Sequence, residues 1–93
     1  MEKKALVVTT AHRGVFFGYG EQSDQPTIRL EKARMCVSWP EENKGVVGLA
    51  FDGPVKGSRI GPAAPSIILR DVTAVMECTP AAIKRWESAP WMG

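Results

Sequence analysis

The most suggestive group of polar residues is Lys56-Gly57-Ser58-Arg59, in a stretch rich in glycine and proline. Glycine beside serine exposes backbone N–H groups, and the flanking lysine and arginine add positive charge. Such a loop could bind a phosphate or another anion through charge-assisted hydrogen bonds. The glycine and lysine spacing of a P-loop is absent, so an anion site is predicted without a nucleotide-hydrolysing motif. A solvated connection between strands is the alternative.

Two residues of the first predicted hairpin would complete this site if the hairpin lies beside the loop. Arg13 would add another positive charge, and the Tyr19 ring, which lies between two glycines, would suit stacking on a base. The sequence therefore predicts a ligand-binding site for an anionic small molecule such as a nucleotide, formed by Arg13, Tyr19, Lys56, Ser58 and Arg59. For Tyr19, packing in the core with an exposed hydroxyl is the alternative.

Catalytic chemistry has little support in the sequence. His12 is the single histidine, and there is no nucleophile motif and no metal-ligand spacing. We therefore expect no enzyme activity, no catalytic residue, no bound metal and no cofactor. The two cysteines, Cys36 and Cys78, are too few for a disulfide framework and are expected to behave as small buried hydrophobic residues.

Length and composition predict one globular domain over residues 1–93, with 44% hydrophobic residues. The net charge is only +2, because ten acidic residues nearly match twelve basic ones, and this argues against nucleic acid as a partner. No stretch reads as a signal peptide, and no apolar run approaches the roughly 18–20 residues of a membrane span. The expected location is the cytoplasm, with reduced thiols.

Short apolar runs separated by glycine and proline predict a mainly β protein. Strands are predicted at 4–10, 15–20, 27–39, 45–51, 58–60 and 66–78. Thr79 as N-cap and Pro80 at the first helical position predict a short C-terminal helix over about 80–88. The predicted fold is a small, strongly bent antiparallel β-barrel or sandwich of about five to six strands with that helix.

Two of these strands share a break in their two-residue alternation. Ile28 and Leu30 define one face, and a one-residue slip at Glu31-Lys32 keeps the next apolar residues inward. The inward set after this slip is predicted to be Ala33, Met35, Val37 and Trp39. The second predicted strand slips in the same way at Arg70-Asp71. We interpret both slips as bulges or corners. The two bent strands are similar in sequence, and Gly14–Gly18 is similar to Gly45–Phe51. These similarities could come from an internal duplication or from chance, and the sequence leaves both alternatives open.

Three tryptophans are many for a chain of this length. Trp39 fits the core, whereas Trp86 and Trp91 flank Pro90, where a small domain has little core left. Aromatic anchors dominate protein interfaces, so Trp86 and Trp91 are predicted to lie in a subunit interface of a homo-oligomer.

Four runs, RGVFFGYGE, LEKARMCVSW, GLAFDGP and LRDVTAVMECTPAAIKRWESAPW, carry a resemblance that covers almost the whole chain. They resemble a family of small proteins from bacteriophages and prophages with no assigned activity. The resemblance implies a phage accessory role in the cytoplasm of a bacterial host cell and transfers no catalytic residue. The order of bent strands is also distantly similar to Sm-like small barrels, which assemble as rings, although the Sm signature is absent.

Three functions follow as predictions. The first is a non-catalytic binder of an anionic small molecule such as a nucleotide, of which a counter-defence sponge would be one form. The second is a protein-interaction module that inhibits or recruits a host factor. The third is an Sm-like ring that binds nucleic acid, which the near-neutral charge disfavours.

Overall fold

The computed structural model describes residues 3–11, 14–22, 25–38, 45–54 and 58–88. These residues form six strands and two helices. In chain order they are β1 (Lys4–Thr10), β2 (Val15–Gly20), β3 (Ile28–Ser38), α1 (Gly45–Phe51), β4 (Arg59–Ile60), β5 (Ala64–Leu69), β6 (Val72–Glu77) and α2 (Pro80–Ser88). Neither helix is long and apolar enough to cross a membrane.

The described strands form one antiparallel sheet in the order β4-β3-β2-β1-β6, and β5 also pairs with β3. The predicted class, mainly β with a short C-terminal helix, is confirmed. The sheet is not closed into a barrel, because β5 pairs with β3 and β6 pairs with β1, and no described backbone pairing joins β5 to β6.

Both predicted corners are confirmed by the backbone. Lys32 and Asp71 are the non-glycine residues with positive φ in the described chain, at 52° and 56°. This left-handed conformation costs an L-residue about 1–2 kcal/mol, so its appearance at both predicted slips marks sharp turns of the strand. At Lys32 the turn lies within β3, whereas at Asp71 it separates β5 from β6 and sends them to different partner strands.

Beyond the first corner, the predicted inward face of β3 is only partly right. Ala33 is buried, as expected, but Met35 and Val37 are 40% and 60% exposed, while Arg34 and Cys36 are buried instead. The alternation itself is regular, because residues 33, 35 and 37 share one face of β3. On this face burial decreases along the strand, from Ala33 to Val37. The opposite face, with Arg34 and Cys36, is covered by the helices and by the chain after β4.

The central strands β1 and β2 bury side chains on both faces. On one face the bent ends of the sheet enclose a first cluster around Leu6, Val8 and Leu30, with Phe16 packed against it. On the other face α1 and α2 cover a second cluster. Its buried members are Ala5, Val7, Val15, Phe17, Cys36, Leu49, Ala50, Ile60, Ala82 and Trp86.

The prediction of a strand at Gly45–Phe51 is wrong, because this segment is the helix α1. Its valines favoured a strand locally, but distant residues satisfy the carbonyl groups that a helix leaves unpaired at its C-terminal end. The Ala50 carbonyl accepts from the Thr79 N–H at 3.0 Å, and the Phe51 carbonyl accepts from the Thr79 hydroxyl. The Leu49 carbonyl accepts from the indole N–H of Trp86 at 2.9 Å. None of these contacts is visible in the local sequence.

The C-terminal helix is confirmed with the predicted N-cap. The Thr79 hydroxyl accepts from the Ala82 N–H at 3.1 Å, and the Thr79 carbonyl accepts from the Ile83 N–H at 3.0 Å. Trp86, predicted at a subunit interface, is fully buried inside the chain, where its ring stacks on Phe17 at 5.1 Å between centroids. It is therefore not available as a surface anchor. Trp39 and Trp91 lie outside the described residues.

Gly53 ends α1 in a conformation that only glycine adopts readily. Its φ is +82°, and a Cβ there would lie 3.0 Å from the backbone of Ala82 in α2. Gly53→Ala is expected to lower the free energy of unfolding by about 2–3 kcal/mol, from left-handed strain plus the collision. Urea denaturation measures the loss.

The matched control for this prediction is Gly61→Ala. A Cβ at Gly61 would meet its nearest atom only at 3.8 Å, so the change should stay within about 0.5 kcal/mol. Equal effects of the two substitutions would contradict the role given to Gly53.

Candidate functional site

A cleft of about 430 Å³ opens between β2, the corner of β3, the chain after β4 and the last turn of α2. We call it the Tyr19 cleft. The residues that line it are Phe17, Tyr19, Lys32, Arg34, Pro62, Ala63 and Glu87. Its volume falls in the range of roughly 300–1,000 Å³ that is typical of small-molecule sites.

The aromatic wall of the cleft comes from β2. Phe17 and Tyr19 are two residues apart and share a face of the strand. Their rings meet edge to face, with centroids 5.5 Å apart and planes at 77°. Phe17 is anchored in turn by its stack on Trp86, so the wall is fixed to the core.

The cations of the cleft come from β3, where a bulge sets their spacing. Phe17 pairs with Arg34, whereas Tyr19 pairs with Glu31, so β3 carries one extra residue between these two pairs. Lys32, in the left-handed conformation, lies within this interval. The corner recognised in the sequence thereby brings Lys32 and Arg34 to one cleft.

Arg34 is the buried charged residue of the described chain, at 7% exposure. Its Nε donates to the Gly61 carbonyl at 2.8 Å, and its Nη1 donates to the Trp86 carbonyl at 2.7 Å. Both acceptors are neutral, and no carboxylate of the described residues forms an ion pair with Arg34. Burial lowers the pKa of Arg34, but a guanidinium stays protonated at neutral pH. The cleft wall therefore holds a fixed positive charge.

The fourth polar member is Glu87 of α2, whose Oε2 accepts a hydrogen bond from the Tyr19 hydroxyl. Burial, this hydrogen bond and the charge of Glu87 all raise the pKa of Tyr19, so the phenol stays a proton donor at neutral pH. The bond joins α2 to β2 across residues 68 positions apart in sequence.

Of the residues predicted for the ligand site, only Tyr19 lines the Tyr19 cleft. Arg13 and Lys56 lie outside the described residues. Arg59 is exposed on β4, and Ser58, partly buried, has an Oγ atom without a hydrogen-bond partner. Neither lines the cleft.

Sequence reasoning missed Lys32, Arg34 and Glu87. A signal for Arg34 was present: it interrupts the apolar run Ala33-Arg34-Met35-Cys36, and the expected register placed it outward. Lys32 was recognised as a corner residue but not as a site residue. Glu87 carries no local signal, because only the docking of α2 brings it to Tyr19.

The two cysteines behave as expected for buried thiols. Cys36 is buried, and Cys78 is partly buried against the cluster under the helices. Burial raises the pKa of the Cys78 thiol to about 12, so it stays protonated and is a poor nucleophile near neutral pH.

Comparison with known proteins gives one match. Residues 3–86 match the family model described as "Domain of unknown function (DUF6948)". No curated protein and no solved structure matches the chain. The predicted membership in a family without assigned activity is thus confirmed. The phage origin and the likeness to Sm-like barrels remain proposals.

Proposed function

The chain belongs to the DUF6948 family, a domain family of unknown function, and we propose from its own geometry that it is a non-catalytic binding protein for a small organic anion with a planar ring. The proposal depends on the environment of Arg34. A buried guanidinium without a carboxylate partner in the described chain forms the wall of an open, partly aromatic cleft.

Burying an unpaired charge is costly, since the charge loses its hydration. Two backbone carbonyls orient the Arg34 guanidinium but leave its charge uncompensated. An anion that enters the cleft would supply that compensation, and Lys32 would add a second charge-assisted contact. The fork of Arg34 is already held in place, which reduces the entropy lost on binding.

The rest of the lining suits a planar group. Tyr19 presents an aromatic ring, and Pro62 and Ala63 add small apolar surfaces on the chain after β4. A base or another flat ring could stack there while its charged group meets Arg34. Nucleotides fit this description, and the resemblance to phage proteins supports a counter-defence sponge as the biological role.

Lys32→Gly is expected to weaken anion binding about tenfold by removing one charge-assisted contact. The same change should leave the free energy of unfolding equal or raise it by up to about 1 kcal/mol, since glycine adopts the left-handed corner without strain. Titration calorimetry with cyclic AMP, AMP and indole acetate measures binding, and urea denaturation measures stability.

Asp71→Gly is the matched control, because it relaxes the equivalent corner at φ 56° but lies outside the Tyr19 cleft. It should keep the wild-type affinity. The proposal fails if none of the three probes binds the wild-type chain, or if the two glycine variants lose the same affinity.

The alternative function, a protein-interaction module, stays a prediction, but Trp86 no longer supports it. Trp86 is buried. The exposed large apolar side chains of the described residues are Met35, Val37, Val47, Phe51 and Ile68, and of these Met35 and Ile68 line a second groove beside Phe16. No feature of these residues indicates a particular partner. The homo-oligomer and the Sm-like nucleic-acid ring likewise remain predictions.

A further inference from the structure

The charged groups that line the Tyr19 cleft do not balance. Lys32 and Arg34 each contribute one positive charge at neutral pH, and Glu87 contributes one negative charge. Among the described lining residues the net charge is therefore +1. Because Glu87 is held by Tyr19, its carboxylate stays at the cleft instead of turning away into solvent.

This charge count limits what the cleft can neutralise. A ligand group with one negative charge would bring the site to zero. A group with two charges would leave one negative charge uncompensated, beside a carboxylate that repels it. Like charges brought together in a partly desolvated site oppose binding, which is how sites exclude wrong partners.

Resting on the proposed function, we infer that the ligand of the Tyr19 cleft is a monoanion: a planar ring that carries a phosphodiester or a carboxylate, not a phosphomonoester. Arg34 and Lys32 bind the charged group. Glu87, which lines the same cleft, acts as a selectivity residue that disfavours a second negative charge.

Glu87 also has the capacity to recognise the ring. Its Oε2 is occupied by the Tyr19 hydroxyl, and Oε1 accepts no hydrogen bond from the described residues. A ring N–H or an amino group could donate to Oε1 while the ring faces Tyr19. An amino-bearing heteroaromatic ring therefore fits better than a plain hydrocarbon ring.

Cyclic AMP and AMP test the inference directly, since they share base and ribose and differ in the charge of the phosphate. Titration calorimetry at low ionic strength should show the wild-type chain binding cyclic AMP about tenfold more tightly than AMP. Indole acetate carries a singly charged carboxylate and distinguishes the two kinds of monoanion. Tighter binding of indole acetate than of cyclic AMP indicates a carboxylate ligand, and weaker binding indicates a phosphodiester.

Glu87→Gln should remove or invert this preference, raising the affinity for AMP about tenfold, because the repulsion is gone. The glutamine carbonyl can still accept from Tyr19, so the helix contact is preserved. Glu77→Gln, an exposed glutamate outside the cleft, is the control and should leave the preference unchanged.

Two results would overturn the inference while leaving the proposed function intact: AMP binding the wild type as tightly as cyclic AMP, or Glu87→Gln leaving the ratio of affinities unchanged. If none of the three probes binds, the proposed function itself falls, and this inference falls with it.

Discussion

Replacing Trp86 with alanine is expected to lower the free energy of unfolding by about 3–5 kcal/mol. The indole is completely buried and lies parallel to Phe17, with 7° between the ring planes. Its removal would open a cavity between the sheet and α2, and it would leave the buried Leu49 carbonyl without its donor. Native domains have only about 5–15 kcal/mol in total, so a loss of this size is a large part of the stability of the chain.

Urea denaturation followed by circular dichroism measures this loss. Lys84→Ala, an exposed change on the same helix, is the control and should stay within about 0.5 kcal/mol. Trp86→Phe, which keeps part of the stack, should fall between the two. A loss below about 1 kcal/mol for Trp86→Ala would contradict the core position, since full burial of an aromatic ring is worth more. A second result would also contradict it: a wild-type free energy of unfolding that rises with protein concentration, together with a Trp86→Ala variant whose free energy of unfolding does not. That result would place Trp86 at a subunit interface.

Arg34→Met is expected to reduce both stability and ligand binding. It removes the charge that the ligand would compensate, which should weaken anion binding about 10–100-fold. It also leaves the Gly61 and Trp86 carbonyls without their donor, which should cost about 2–4 kcal/mol of unfolding free energy, moderated by the methionine filling the apolar space. Calorimetry with the tightest of the three probes and urea denaturation measure the two effects.

Arg34→Lys separates the two roles of Arg34. A lysine keeps the charge but lacks the fork that reaches two carbonyls at once, so binding should recover more than stability. Arg29→Met, an exposed change on β3 outside the Tyr19 cleft, should alter neither. If Arg34→Met binds the probe with wild-type affinity, Arg34 does not bind the anion and the proposed function is contradicted.

Several features of the fold followed from local chemistry. Short apolar runs bounded by turn residues predicted β1 and β2. The alternation of apolar residues predicted the bent strand, because side chains of a strand point alternately to its two faces. The breaks at Lys32 and Asp71 were visible because a bulge shifts that alternation by one residue. Thr79 and Pro80 announced α2, because a cap acts within one helical turn.

The tertiary structure alone decided α1 and the candidate site. Gly45–Phe51 forms a helix because Thr79 and Trp86 satisfy its last carbonyl groups, and those partners lie 28 to 37 residues away in sequence. The Tyr19 cleft joins β2, β3 and α2, so its charge balance depends on how these elements pack. The sequence by itself determined the strands, the corners and the cap, since each depends on neighbouring residues. The buried charge of Arg34 and the carboxylate of Glu87 come to one cleft only when distant segments meet.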